Sequence, residues 1–232
     1  MREFCYRCFK PKSACFCDGL IPVDCGVKFV LLMHPKEANR QKTGTGHLAA
    51  LRLPESEILV GVDFTNHKRL NELLGDPQYY PVLLYPAEDA WTAGKEGFKE
   101  TVGTKKLLVI IVDSTWFCSK KILKQSQNLH SLPKFSFSGN YSSIFTFKKE
   151  PAEYCVSTIE SCYYLIRELQ DADMVEKSVD PEPLMDVFKK MIVHQLEQEN
   201  ERIDSGLPGS HDKDWKYTKK KEIPVFELKT EK

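Results

Sequence analysis

Apolar residues in this chain come in short dense runs separated by polar loops, and their spacing shifts between the strand period and the helix period. The densest run is Leu107–Val112 (LLVIIV), four of whose six residues are Val or Ile. It reads as a buried central strand that empties at Asp113-Ser114-Thr115-Trp116 into a polar loop. Val27–Met33 reads as the first strand, Glu57–Val62 as the second and Pro81–Pro86 as the third, while the alternating Lys134–Ser138 (KFSFS) suits an edge strand. Ser143–Lys149 is a further apolar and polar alternation. Between these runs the period becomes helical: in the residues after His47 (LAALRLP), at His67–Leu74, at Phe117–Gln127, from Ser157 onward, and over the long amphipathic stretch Pro181–Glu201. In the third of these the pattern places Phe117, Ile122 and Leu123 inward and Lys120, Lys121 and Lys124 outward. Residues 34–47 and 94–106 read as loop and surface excursion. Strands alternating with helices predict an α/β domain around a mostly parallel sheet.

In such a sheet ligands bind where strands end, so the strand-end residues are the candidates for chemistry. Asp113 sits at the mouth of the central strand, where a half-solvated carboxylate is tunable, and Trp116 offers a flat face to a cation or a base. Asp113 as a cap for the following helix, with Trp116 in the core, is the alternative. After the first strand, Thr43-Gly44-Thr45-Gly46-His47 lets backbone N–H groups approach an anion, although it fits neither the P-loop nor the dinucleotide fingerprint. Ser157 or Thr158 caps a helix with Glu160 in its first turn.

Composition narrows the class. The chain has 232 residues, 41% of them hydrophobic, enough for one α/β core with an appendage. No apolar run approaches bilayer length and the first residues lack a signal-peptide core, so a cytoplasmic protein with no membrane partner is expected. The 33 basic and 33 acidic residues cancel, so any nucleic acid must be held by a local patch. Of the eight cysteines, Cys5, Cys8, Cys15 and Cys17 form a C-x2-C-x6-C-x-C pattern that suits a closed tetrahedral thiolate site for Zn²⁺. Four reduced thiols, or an iron–sulfur cluster on the same ligands, are the alternatives. Arg2, Arg7, Lys10 and Lys12 interleave with Phe4, Tyr6, Phe9 and Phe16, a mixture found both on RNA-stacking surfaces and on ordinary zinc modules. These features divide the chain into a metal module (1–26), an α/β domain (27–201) and a polar, basic tail (202–232).

Taken in order, the four cysteines, His34-Pro-Lys-Glu37, Thr43-Gly-Thr-Gly46, Leu84-Tyr-Pro-Ala87, Asp113-Ser-Thr-Trp116, Leu132-Pro133 and Ser157-Thr158-x-Glu160 resemble the DTW-domain proteins. That family comprises tRNA-uridine aminocarboxypropyltransferases and has an rRNA-modifying relative. The resemblance implies a SPOUT-like fold with helices on both faces of the sheet and a C-terminal trefoil knot whose loops hold S-adenosylmethionine. It implies donor contacts at Leu84, Tyr85, Pro86, Thr115, Trp116, Leu132, Pro133, Ser157 and Thr158. Thr43 and Thr45 of the glycine loop, or His34, would hold the donor's carboxylate or amine. Asp113 would take the N3 proton of a tRNA uridine, with transfer of the 3-amino-3-carboxypropyl group and release of 5′-methylthioadenosine. No catalytic metal is implied, and whether the protein pairs as a homodimer is left open. The same transfer onto rRNA, or a zinc-bearing RNA-binding protein without catalysis, are the competing expectations. His47 stands where the family usually has arginine, and Ser114 is a known variation of the signature.

Overall fold

The computed structural model describes residues 3, 5, 6, 8, 11–17, 19–40, 44–145, 155–207 and 219–227. Thr43, the Lys148-Lys149 end of the predicted alternation, and Arg2, Phe4, Arg7, Phe9 and Lys10 lie outside these residues.

The strands are β1 (Lys28–Met33), β2 (Ser56–Val60), β3 (Tyr79–Leu84), β4 (Lys106–Asp113) and β5 (Lys134–Phe135). They form one five-stranded sheet in the order β2-β1-β4-β3-β5, and every pairing is parallel. The pleat sends alternate residues to opposite faces. Phe29, Leu31, Val109 and Ile111 join one apolar cluster, while Val30, Leu32, Leu108 and Ile110 join the other. Both faces are therefore covered, which explains why the central strands are apolar throughout rather than alternating.

The helices are α1 (Pro35–Arg40), α2 (Thr45–Arg52), α3 (Lys68–Gly75), α4 (Phe98–Val102), α5 (Trp116–Gln125), α6 (Thr158–Asp171) and α7 (Glu182–Asp204). Leu70 and Leu73 of α3 and Ile122 of α5 cover one face, and α2, α4, α6 and α7 contribute to the core on the other. Among the described residues no helix is long and apolar enough to cross a membrane.

The chain leaves β1 toward the β2 edge and leaves β4 toward the β5 edge, and these two strands are neighbours. Their outgoing connections diverge, so a crevice opens at the carboxyl ends of β1 and β4, where Met33 is in register with Asp113.

Several expectations are corrected. The 34–47 loop contains α1, because Pro35 occupies a first helical position where its missing N–H costs nothing. His34 Nδ1 accepts the Lys36 N–H at 3.1 Å, a cap made by an unusual capping residue. The 94–106 excursion contains α4, anchored by the fully buried Phe98. Only Lys134 and Phe135 of the KFSFS segment pair as a strand. Phe117 does not point inward: it is 84% exposed. Within the basic tail, residues 219–227 return to the domain, where Ile223 and Phe226 pack on the main core and Asn200 exchanges hydrogen bonds with the Lys221 backbone at 2.8 and 3.1 Å.

Candidate active site

A cavity of about 460 Å³ occupies the crevice, in the range that small-molecule sites fill. Asp113 at the end of β4 lines it and is 7% exposed. Its backbone carbonyl accepts the His34 N–H at 3.2 Å, joining the ends of β4 and β1. The carboxylate does not cap α5, whose N-cap is Thr115. Instead Oδ1 accepts the Thr158 hydroxyl at 2.6 Å, across 45 residues of sequence. From the other side the first turn of α2 closes in. A Cβ built on Gly46 would overlap Asp113 Oδ2 and lie 2.7 Å from its Cγ. Gly46 thus lets the backbone of α2 come close to the Asp113 carboxylate.

Thr45, Leu84, Tyr85, Pro86, Thr115, Trp116, Ser157 and Thr158 all line the same cavity. The rings of Tyr85 and Trp116 are 6.4 Å apart at 57°, forming an aromatic wall. Leu132 and Pro133 do not line it: Leu132 packs against the core under α3 and α5, and the Pro133 carbonyl accepts the Leu83 N–H at 2.9 Å. His34 is also absent from the lining and is 8% exposed. Burial, reinforced by Lys36 and Lys121, lowers its pKa and favours a neutral ring.

Three acidic residues that sequence alone does not place in the site shape it. Glu37 of α1 lines the cavity and is 7% exposed. Glu160, wholly buried, completes a capping box at the start of α6. Its Oε2 accepts from the Ser157 N–H and hydroxyl at 2.8 and 2.6 Å and from Ser143 at 2.7 Å, and its Oε1 accepts the Ile144 N–H at 2.8 Å. Glu168 accepts from the Ser138 and Gly139 N–H groups, each at 2.9 Å, and from the Tyr141 hydroxyl at 3.0 Å. Tyr141 in turn stacks on Tyr164, centroids 4.0 Å apart at 11°. Burial, then this bond to Glu168, pushes the Tyr141 phenol well above its usual range. The cavity wall at Ser136, Phe137, Gly139, Asn140 and Tyr141 has no regular secondary structure and is held to α6 by these buried carboxylates. Glu160, Tyr164 and Glu168 recur at a spacing of four on α6, which is the signal the sequence did carry.

Among the described residues the lining contains no Lys, Arg or His; its charged members are Glu37 and Asp113. Such a site suits a ligand with positive charge and an apolar or aromatic body, and offers little to a polyphosphate.

Away from the cavity, one thiol sulfur each of Cys5, Cys8, Cys15 and Cys17 lies within 4.8 Å of the others, and Cys8 and Cys15 are 3.7 Å apart. Tetrahedral zinc with bonds of about 2.3 Å needs sulfurs about 3.8 Å apart, so the cluster fits a metal ion. Its segment docks on the main domain: Arg52 donates to the Gly19 and Ile21 carbonyls, both at 3.4 Å, and Phe16 meets His194 edge-on at 5.8 Å.

The DTW-domain family model matches residues 2–196. The chain belongs to the DTW-domain family. A relative from Drosophila melanogaster, tRNA-uridine aminocarboxypropyltransferase 2, is 30% identical over 167 residues, covering 69% of this chain and 64% of the relative. The chain thus spans somewhat less than two thirds of that relative's length. No solved structure matches the chain. Within this DTW domain Asp113 and Trp116 are the signature's first and last residues, and both line the crevice.

Proposed function

We propose that this protein transfers the 3-amino-3-carboxypropyl group of S-adenosylmethionine to N3 of a tRNA uridine, in the cytoplasm. The observation that carries the reading is an acidic and aromatic cavity at the β1/β4 crevice with Asp113 buried in its wall, in a family whose Drosophila relative is named for this activity. The donor is a sulfonium cation with an ammonium and a carboxylate. Tyr85 and Trp116 would flank the sulfonium, Glu37 would meet the ammonium, and the backbone at Gly44 and Thr45 would meet the carboxylate.

Asp113 takes the N3 proton, N3 bonds to the donor's γ-carbon, and the carbon–sulfur bond breaks with its electron pair left on sulfur. 5′-Methylthioadenosine departs as a neutral thioether. Which carbon reacts is a matter of alignment, so the cavity must present the γ-carbon and keep the methyl aside. We read the segments that line the cavity at residues 136–141 and 155–157 as part of a SPOUT-type knot, and the four-cysteine cluster as a structural zinc site.

The test is incubation with tRNA and S-adenosylmethionine, followed by mass spectrometry of nucleosides and co-product. The aminocarboxypropyl adduct with methylthioadenosine is expected. Methylated uridine with S-adenosylhomocysteine would overturn the reading in favour of methyl transfer, and RNA binding with neither product would favour a non-catalytic module. Asp113→Asn keeps the oxygen that faces Thr158 and should bind donor normally, while turnover falls about 100-fold or more.

A further inference from the structure

Phe117 belongs on the outside of α5 in company with charge. Phe117, Lys120, Lys121 and Lys124 follow the i, i+3, i+4, i+7 spacing of a single helix face, and all four are exposed. Cys118, Ser119 and Ile122 form the buried side. The stripe begins at the cavity, because Trp116 and Ser119 in the same helix line it. The Phe117 ring is 84% exposed and directly follows Trp116, which lines the cavity.

The charge around it has one sign. No Asp or Glu occurs from Ser114 to Lys149, a stretch holding six lysines, although the chain as a whole is neutral. Among the described residues none of the three α5 lysines is in an ion pair.

We infer that the outer face of α5 is a track for single-stranded RNA: Phe117 stacks on the base next to the nucleotide in the cavity, and Lys120, Lys121 and Lys124 bind the phosphates that follow. The inference rests on the reading that the cavity takes an RNA nucleotide. The geometry suits it. From Phe117 to Lys124 the helix rises about 10 Å, long enough to run alongside the phosphates of the nucleotides next to the one in the cavity. An acidic peptide would satisfy the lysines but has no use for a flat ring next to Trp116, whereas every base has a face to stack.

The experiment measures affinity for an unmodified tRNA transcript as a function of salt, alongside calorimetric affinity for S-adenosylmethionine. Phe117→Ala should weaken RNA binding by about 5-fold to 100-fold, the worth of one base–aromatic stack. Phe117→Leu, which keeps apolar bulk without a ring, should be nearly as weak, and Phe117→Tyr should recover. Lys120→Gln, Lys121→Gln and Lys124→Gln combined should reduce the slope of log affinity against log salt by about two. Donor affinity stays unchanged in all of these, and Lys105→Gln, at the far end of β4, leaves both measurements unchanged. RNA affinity within twofold of wild type for Phe117→Ala, or an unaltered salt slope in the triple variant, overturns the track. If the wild type modifies tRNA while these variants bind normally, only the track fails. If the variants lose RNA binding but no aminocarboxypropyl product forms with the wild type, the track stands and the proposed transfer fails.

Discussion

The Thr158 hydroxyl donates to Asp113 Oδ1 at 2.6 Å, tying the first turn of α6 to the last residue of β4. The bond fixes which way the carboxylate faces and leaves its other oxygen against the first turn of α2, as the Gly46 geometry requires. A hydrogen bond to a charged group is worth about 2 kcal/mol. Thr158→Val keeps the shape and removes the donor. Turnover in the tRNA assay should fall about 30-fold with donor affinity within a few-fold of wild type. Unchanged turnover would mean that the orientation of Asp113 does not matter to the reaction.

Gly46→Ala tests the opposite side of the same carboxylate. Within a helix that substitution normally stabilises by up to about 1 kcal/mol. Here the added methyl would overlap Asp113 Oδ2 and approach Met33 Cε at 3.1 Å. The carboxylate cannot turn aside without giving up Thr158, so the overpacking cost of about 1–3 kcal/mol should win. Urea denaturation should show a less stable protein. A more stable one would refute the close approach of α2 to Asp113.

The parts of the site that stand at strand ends were legible in the sequence. Asp113, Trp116 and Tyr85 follow apolar runs whose period marks strands, and the parallel sheet brings strand ends together wherever the loops lead. Glu168 was not legible as a wall-former. Its partners are the backbone N–H groups of Ser138 and Gly139, about a turn of irregular chain some thirty residues upstream, and no local pattern announces that pairing. Phe117 departs from the inward expectation for a different reason. Grouping it with Ile122 by residue type ignores the helical angle, which sets it among the lysines instead. α1 was hidden because Pro35 reads equally well as the end of a strand and the start of a helix.

Glu168 makes its own prediction. Glu168→Ala would leave the Ser138 and Gly139 N–H groups and the Tyr141 hydroxyl without their acceptor, and because Ser138 and Gly139 are exposed, water replaces part of each lost bond, which leaves a cost of about 1 kcal/mol apiece. Glu168→Gln keeps the shape, but its amide would face N–H donors with a donor. Both variants should exchange backbone hydrogens faster at residues 138–141, and the alanine variant should lose about 3 kcal/mol of stability. Unaltered exchange at those residues would show that the wall holds itself.

Acid stability should depend on Glu57. Arg69 binds its carboxylate through two bonds of 2.9 and 2.7 Å, and the largely buried Lys28 adds a third at 2.7 Å. The Arg69 bonds first, and then Lys28, lower the Glu57 pKa from 4.5 to about 2. A depressed carboxylate contributes stability above its unfolded pKa and loses it as pH falls toward the folded value. Stability measured by denaturant should therefore decline between pH 4.5 and about 2, by on the order of 2 kcal/mol from this group once its partial exposure is discounted. In Glu57→Gln that part of the decline should vanish, while stability at neutral pH drops because Lys28 loses its partner. An acid limb identical in both proteins would remove Glu57 as its source.

The metal cluster can be tested without any assay of the reaction. Burial, with the neighbouring thiols adding to it, raises the Cys17 pKa far above the ordinary thiol range, so four thiolates at this spacing require a cation among them. Protein purified without chelator should carry close to one zinc per chain by elemental analysis, and Cys17→Ser should lower that occupancy. Chelation should release the docked segment, since the ordering of about twenty residues has little apolar burial behind it and draws on metal binding instead. The Phe16–His194 contact and the Arg52 bonds to Gly19 and Ile21 would go with it. The first turn of α2 lies against Asp113 and its last residue is Arg52, so its last turn should loosen while the sheet and the cavity stay folded. Hydrogen exchange after chelation should rise over residues 5–23 and at the end of α2, and not in β1 or β4. A metal-free protein with the same exchange pattern as the native one would show that the cysteines hold their segment without an ion.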